Sequence, residues 1–85
     1  MTRDELKASL SKWVGDITEE APPALDENTD LSKDLGLDSL ALAELAARVR
    51  RELKVKLKPG EMAKDLRVGA LIDAVLKLQQ QGGGA

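Results

Sequence analysis

Three apolar stripes with the period of an α-helix, and no stretch with the period of a strand, limit how this chain can fold. Leu6, Leu10, Trp13, Val14 and Ile17 recur at three- and four-residue spacing. So do Leu42, Leu45, Ala46, Val49 and Leu53, and again Val68, Leu71, Ile72, Val75 and Leu78. Positions spaced in this way gather on one side of a helix. Only Val55-Lys56-Leu57 alternates, and it is too short to build a sheet. The stripes must bury one another, because the 85 residues include no cysteine and no histidine, hence no disulfide and no Cys/His metal site. Trp13 is the only aromatic residue, so the core is Leu, Val, Ile and Ala. One domain is expected at this length.

The breaks between stripes set the topology. Thr2 followed by Glu5 is a capping-box pattern that opens the first helix. That helix should end near Gly15 to Ile17, before Glu19 and Glu20. Pro22 and Pro23 exclude a continuous helix through residues 18–37, "TEEAPPALDENTDLSKDLGL". A connection this long is functional or carries structure of its own. Leu25, Leu31, Leu35 and Leu37 are placed to tack it onto the helices, and Gly36 suits a positive φ at the turn into the next element. The second helix should run from Ser39 to Leu53, with Leu40 and Ala43 off its buried stripe. Pro59-Gly60 marks a turn. A short helical piece is expected at residues 61–64, and Asp65 is expected to cap the last helix. The ending "QQQGGGA" reads as a frayed tail or the start of a flexible linker. The expected architecture is an all-α four-helix bundle: three longer helices, one short helix and a long first loop. Residues 1–79 form the domain and 80–85 the tail.

Composition excludes much chemistry. Without His and Cys there is no Ser-His-Asp triad, no Cys-His pair and no zincin site. No G-x-S-x-G elbow is present either, so a serine hydrolase is excluded. An independent enzyme is not expected. The N-terminus "MTRDELK" is charged, unlike a signal peptide. Glu44 and Asp73 interrupt the longest apolar runs, so no span suits a membrane and a cytoplasmic protein is the default. The net charge of −2 is unevenly spread: residues 1–44 hold 11 acids and 4 bases, residues 45–85 hold 4 acids and 9 bases. The bases concentrate in "RVRRELKVKLK", residues 48–58. No aromatic residue interleaves that run to stack on bases, so nucleic-acid binding is not expected. Cations near a helix C-terminus complement its dipole.

One feature remains unspent. In "DLGLDSLALAEL", residues 34–45, Ser39 follows Asp38 at the start of the second helix. Taken alone, such a serine is an N-cap. Asp38 caps equally well, however, and one helix needs one cap. With Asp38 in that role the Ser39 hydroxyl points outward, and the chain has no histidine or cysteine to activate it. A helix N-terminus offers unpaired N–H groups and partial positive charge, which suits an attached phosphate. Asp38 and Glu44 oppose that attraction. A second enzyme could supply the activation, which makes the serine a candidate for modification beside its reading as a cap. Ser39, Leu40, Ala43, Glu44 and Ala47 share the outward side of the helix, and the small alanines allow close approach of a partner.

"DLGLDSL" followed by an amphipathic helix resembles the acyl carrier protein family, and the likeness extends from about Thr2 to Leu78. The first helix, the leucine-tacked loop, the helix behind the serine, "VKLKPGEM" and the final helix fall in the family's order. The resemblance implies that Ser39 is esterified with 4′-phosphopantetheine from coenzyme A. Asp38 and Leu40 would be read by the phosphopantetheinyl transferase. The arm's thiol would carry acyl groups as thioesters between an acyltransferase or acyl ligase, a ketosynthase and other synthase enzymes. The domain itself would be a monomer that performs no catalysis. The acyl chain of such carriers can fold back into the bundle. Fatty-acid carriers often have a strongly acidic second helix, whereas this one begins acidic and ends with Arg48, Arg50 and Arg51. That departure favours a polyketide-synthase setting over housekeeping fatty-acid synthesis. A peptidyl carrier and a cofactor-free helical interaction module remain alternatives. Met1 ahead of the first cap and the glycine tail suggest a free-standing chain.

Overall fold

Thr2 opens the fold as the capping box expected of it. Its side chain accepts from the Glu5 N–H at 3.1 Å and its own N–H donates to the Glu5 carboxylate at 2.8 Å. Helix α1 then runs over Arg3–Thr18 and stops in a left-handed cap at Glu19 (φ 57°), where the Glu20 N–H reaches the Gly15 carbonyl. Helix α2 spans Ser39–Leu53 and ends on a second left-handed residue, Lys54 (φ 56°). Helix α3 spans Val68–Gly82, so it continues through Gln79 and Gln80, which are good helix formers, beyond residue 79. The computed structural model describes residues 2–57 and 65–82. The short helical piece expected at 61–64 lies outside them. No strand occurs among the described residues, only an isolated antiparallel bridge between Asp30 and Arg67.

The three stripes meet as their spacing requires. Helix α1 lies against both α2 and α3. It buries Leu6, Leu10, Trp13 and Val14 against Leu45, Ala46 and Val49 of α2 and Val68, Leu71, Ile72 and Val75 of α3. Ile17, Leu42, Leu53 and Leu78 close the stripes as half-buried residues. No polar or charged side chain is buried among the described residues. The long loop is held as its leucines suggest: Leu31 and Leu37 are buried, and Leu25 and Leu35 pack against the same core. After α2 the chain has no regular secondary structure as far as Leu57, and the Val55-Lys56-Leu57 alternation turns Val55 and Leu57 into the core while Lys56 stays outside.

Asp65 does not cap the last helix. Its carboxylate accepts from the Arg67 N–H at 3.0 Å and grips the Arg67 guanidinium at 2.7 Å, two residues too early. The first N–H groups of α3 donate to loop carbonyls instead: Val68 to Thr29 at 2.8 Å and Gly69 to Glu27 at 2.9 Å. These bonds satisfy donors that a helix start leaves unpaired, and they bring the loop backbone against the helix. A Cβ on residue 69 would lie 2.9 Å from the Glu27 carbonyl oxygen, so any larger residue there must push the loop backbone away. Arg3 fastens the same corner, with its guanidinium bonded to Glu27 and, at 2.5 Å, to Asp73. Hydrogen bonding to Arg3 holds the Glu27 carboxyl below its usual range, and Arg67 lowers Asp65 to about 2. The Thr2 backbone N–H likewise lowers Glu5.

Candidate functional site

The site is built by the approach of the loop to α2. Leu31 anchors the turn: its carbonyl accepts from the Leu37 N–H at 3.1 Å, while Gly36 donates to Ser32 at 2.9 Å. Gly36 takes φ 70° with open space around it, so the backbone angle, not crowding, calls for glycine. Leu37 is buried immediately before Asp38. Leu37 and Leu42 occupy the two positions of a hydrophobic staple, and both join the same core. This fixes the direction in which the chain enters the helix.

Asp38 is the cap. Its backbone is extended (φ −86°, ψ −179°), its Oδ1 accepts from the Ala41 N–H at 2.8 Å, and its carbonyl accepts from Leu42 at 2.9 Å. Ser39 is therefore the first helical residue, exposed, and its hydroxyl makes no hydrogen bond among the described residues. The Ser39 and Leu40 N–H groups likewise find no acceptor among them. The capping role and the free hydroxyl thus fall on separate residues.

All the other outward positions are exposed together. Leu40 is 68% exposed, and Ala43, Glu44 and Ala47 surround it on the solvent side. Arg48 behaves otherwise. Its guanidinium carbon lies 5.9 Å from the Trp13 ring centroid and its Nη2 lies 3.6 Å from Asp16, so it ties α2 to α1. Sequence reasoning missed this, because nothing local links residues 13, 16 and 48. A shallow groove beside α3 involves Glu27, Asp65, Arg67 and Asp73, whose charges pair with one another and with Arg3. Ser39 is not part of it.

The arrangement thus presents an exposed, unbonded hydroxyl at the start of a helix whose cap is supplied by the preceding residue. Residues 8–75 match the family described as "Phosphopantetheine attachment site". The chain is 43% identical to the granaticin polyketide synthase acyl carrier protein of Streptomyces violaceoruber, the match covering 88% of this chain and 87% of that protein. It is 27% identical to an acyl carrier protein of Rhodococcus erythropolis, over 99% and 92%. The structure of an acyl carrier protein from Thermotoga maritima matches with a TM-score of 0.82 at 25% identity, over 93% and 92% of the two chains. The chain belongs to the acyl carrier protein family, the phosphopantetheine-bearing carriers of polyketide and fatty-acid-type biosynthesis.

The site fits that group. The hydroxyl has no competing partner, the two unpaired N–H groups flank it, and the exposed surface leaves room for an arm. Among the described residues no helix is long and apolar enough to cross a membrane.

Proposed function

We propose that Ser39 is the residue esterified with 4′-phosphopantetheine, and that the loaded domain delivers acyl intermediates to the enzymes of a polyketide synthase. One observation carries the assignment: Asp38 satisfies the helix cap, which leaves the Ser39 oxygen exposed and unbonded. When attached, phosphopantetheine supplies a terminal thiol that holds acyl groups as thioesters. The chain's own residues do the rest. Asp38 fixes the start of the helix, and the exposed Leu40 gives a phosphopantetheinyl transferase an apolar contact beside the hydroxyl. Ala43, Glu44 and Ala47 extend that contact surface to an acyltransferase or acyl ligase and a ketosynthase.

The polyketide setting is supported by the 43% identity to a carrier of such a synthase. It is also supported by the cationic end of α2, where Arg50 and Arg51 lie in the last turn. In this reading the domain works in the cytoplasm and acts as a monomer, the latter because Leu40 is the one large apolar side chain exposed among the described residues. Residues 1–79 are taken as the carrier unit, since Leu78 is the last apolar side chain packed against the core among the described residues.

The test is intact mass after incubation with coenzyme A and a broad-specificity phosphopantetheinyl transferase. Wild type should gain one phosphopantetheine and Ser39→Ala none. A folded wild type that gains nothing refutes the assignment and leaves a cofactor-free interaction module. Subsequent loading with acyl or aminoacyl groups distinguishes an acyl from a peptidyl carrier.

A further inference from the structure

The outward face of α2 is polarised in charge, and the other arginines show how unusual its far end is. Arg3 pairs with Glu27 and Asp73, Arg48 with Asp16, and Arg67 with Asp65. Arg50 has no carboxylate partner among the described residues; it reaches only the Leu57 carbonyl at 3.4 Å. Arg51 has only its exposed neighbour Glu52 at 3.9 Å. Lys54 and Lys56 follow, exposed and likewise without an ion pair among the described residues.

Helical spacing puts these cations on the face that carries the serine. At about 100° per residue, Leu40, Ala47 and Arg51 fall on one line, with Ala43, Arg50 and Lys54 on one side of it and Glu44 on the other. All of them are exposed. Glu52 lies about 100° away from Arg51 around the helix, at the edge of this face. The face therefore carries an acid, Glu44, towards its start, just after the Asp38 cap, and ends with Arg50, Arg51 and Lys54. A single cation in the last turn would complement the helix dipole. The cluster exceeds that need, and Lys54 and Lys56 stand beyond the helix.

We propose that this cationic end is a second docking point for a partner enzyme, whose complement is an acidic patch about 18 Å from the place where it receives the arm. The distance is that from Ser39 to Arg51 at about 1.5 Å rise per residue. The proposal rests on Ser39 as the attachment point. A protein partner fits better than nucleic acid or a membrane. The same face carries Glu44, which repels phosphate groups, and Leu40 with two alanines, which suit close packing against a protein surface. No aromatic residue lies in or beside the cluster to stack on bases. A face with opposite charges at its two ends also fixes orientation, because a partner docked the wrong way round meets like charges at both.

The test uses holo-protein, acylated, as substrate for the ketosynthase of the granaticin polyketide synthase. Arg51→Glu/Lys54→Glu is compared with the milder Arg51→Gln/Lys54→Gln and with Lys12→Glu/Lys77→Glu, exposed sites on the other two helices. Arg50 is left in place because of its bond to Leu57. Intact mass first establishes that every variant is loaded. Failure of the folded wild type to load refutes Ser39 as the attachment point, not the docking surface. The reversal should raise KM about 10-fold at low salt with kcat within about twofold, the neutral pair less, and the Lys12/Lys77 control not at all. Most of the difference should vanish near 0.5 M salt, where screening is nearly complete. Unchanged KM for both α2 variants at low salt overturns the proposal. So does unchanged KM together with cation-dependent binding to duplex DNA or phosphatidylserine vesicles.

Discussion

Asp38 and Ser39 are neighbours with separable roles, and a pair of substitutions separates them. Asp38→Ala removes the oxygen that accepts from the Ala41 N–H at 2.8 Å. Loss of an N-cap costs about 1 kcal/mol, and loss of an anion from a helix N-terminus about 0.3–1 kcal/mol more. The total of about 1–2 kcal/mol corresponds to a fall of roughly 5–12 °C in Tm for a domain of this size. Ser39→Ala removes a hydroxyl that bonds to nothing among the described residues, and alanine is the better helix former. Its Tm should equal or slightly exceed that of wild type. Asp38→Asn keeps the accepting oxygen and loses the charge, so it should fall between the two. The assay is thermal unfolding of the apo-protein followed at 222 nm, with loading by the transferase measured on the same samples. Asp38→Ala should be less stable yet still carry the hydroxyl; Ser39→Ala should be as stable as wild type and never loaded. If Ser39→Ala loses as much stability as Asp38→Ala, the serine is a cap after all. The argument that its hydroxyl is left over for attachment then fails.

Other expectations follow from the packing. Leu45 is fully buried, so Leu45→Ala should cost about 2–5 kcal/mol in urea unfolding, whereas Leu40→Ala, at an exposed site, should stay within about 0.5 kcal/mol. Gly69→Ala should destabilise by about 1 kcal/mol, because displacing the Glu27 carbonyl costs about 1–3 kcal/mol and outweighs the gain of about 1 kcal/mol in helix propensity. A stabilised Gly69→Ala would show that the loop yields freely. Glu5, Glu27 and Asp65 titrate below their unfolded values when folded, so their contribution is complete above about pH 5 and is lost as pH falls towards 2. Urea midpoints should be level from pH 7 to 5 and decline below; a midpoint that rises on acidification contradicts those pairings.

The helices were legible because each carries an unbroken apolar stripe, and burial followed the stripes at nearly every position. The first cap was legible because a capping box lies within four residues of sequence. The start of α3 was not. Asp65 has the right residue type at nearly the right place, but the N–H groups it was expected to receive are taken by Thr29 and Glu27, some forty residues earlier. A cap made of loop carbonyls leaves no side-chain signature. The only trace is Gly69, whose missing Cβ makes room for the loop backbone. Arg48 was misread for the same reason. In sequence it belongs to a basic run, and in space it belongs to Trp13 and Asp16.

The serine was legible in a different way, through what the chain lacks. A nucleophile needs a base, and no histidine or cysteine is present to serve or replace one. What the structure adds is the order of the two residues. Asp38 still has extended backbone, which is the geometry in which a side chain can fold back onto the N–H three residues ahead. Ser39 already has helical backbone and is exposed. Exchanged, the serine would be drawn into the cap and the aspartate would occupy the exposed place, with no hydroxyl to modify. The dipeptide therefore works in one direction only. That direction is set upstream, where the positive φ of Gly36 and the burial of Leu37 determine which of the two residues arrives at the helix first.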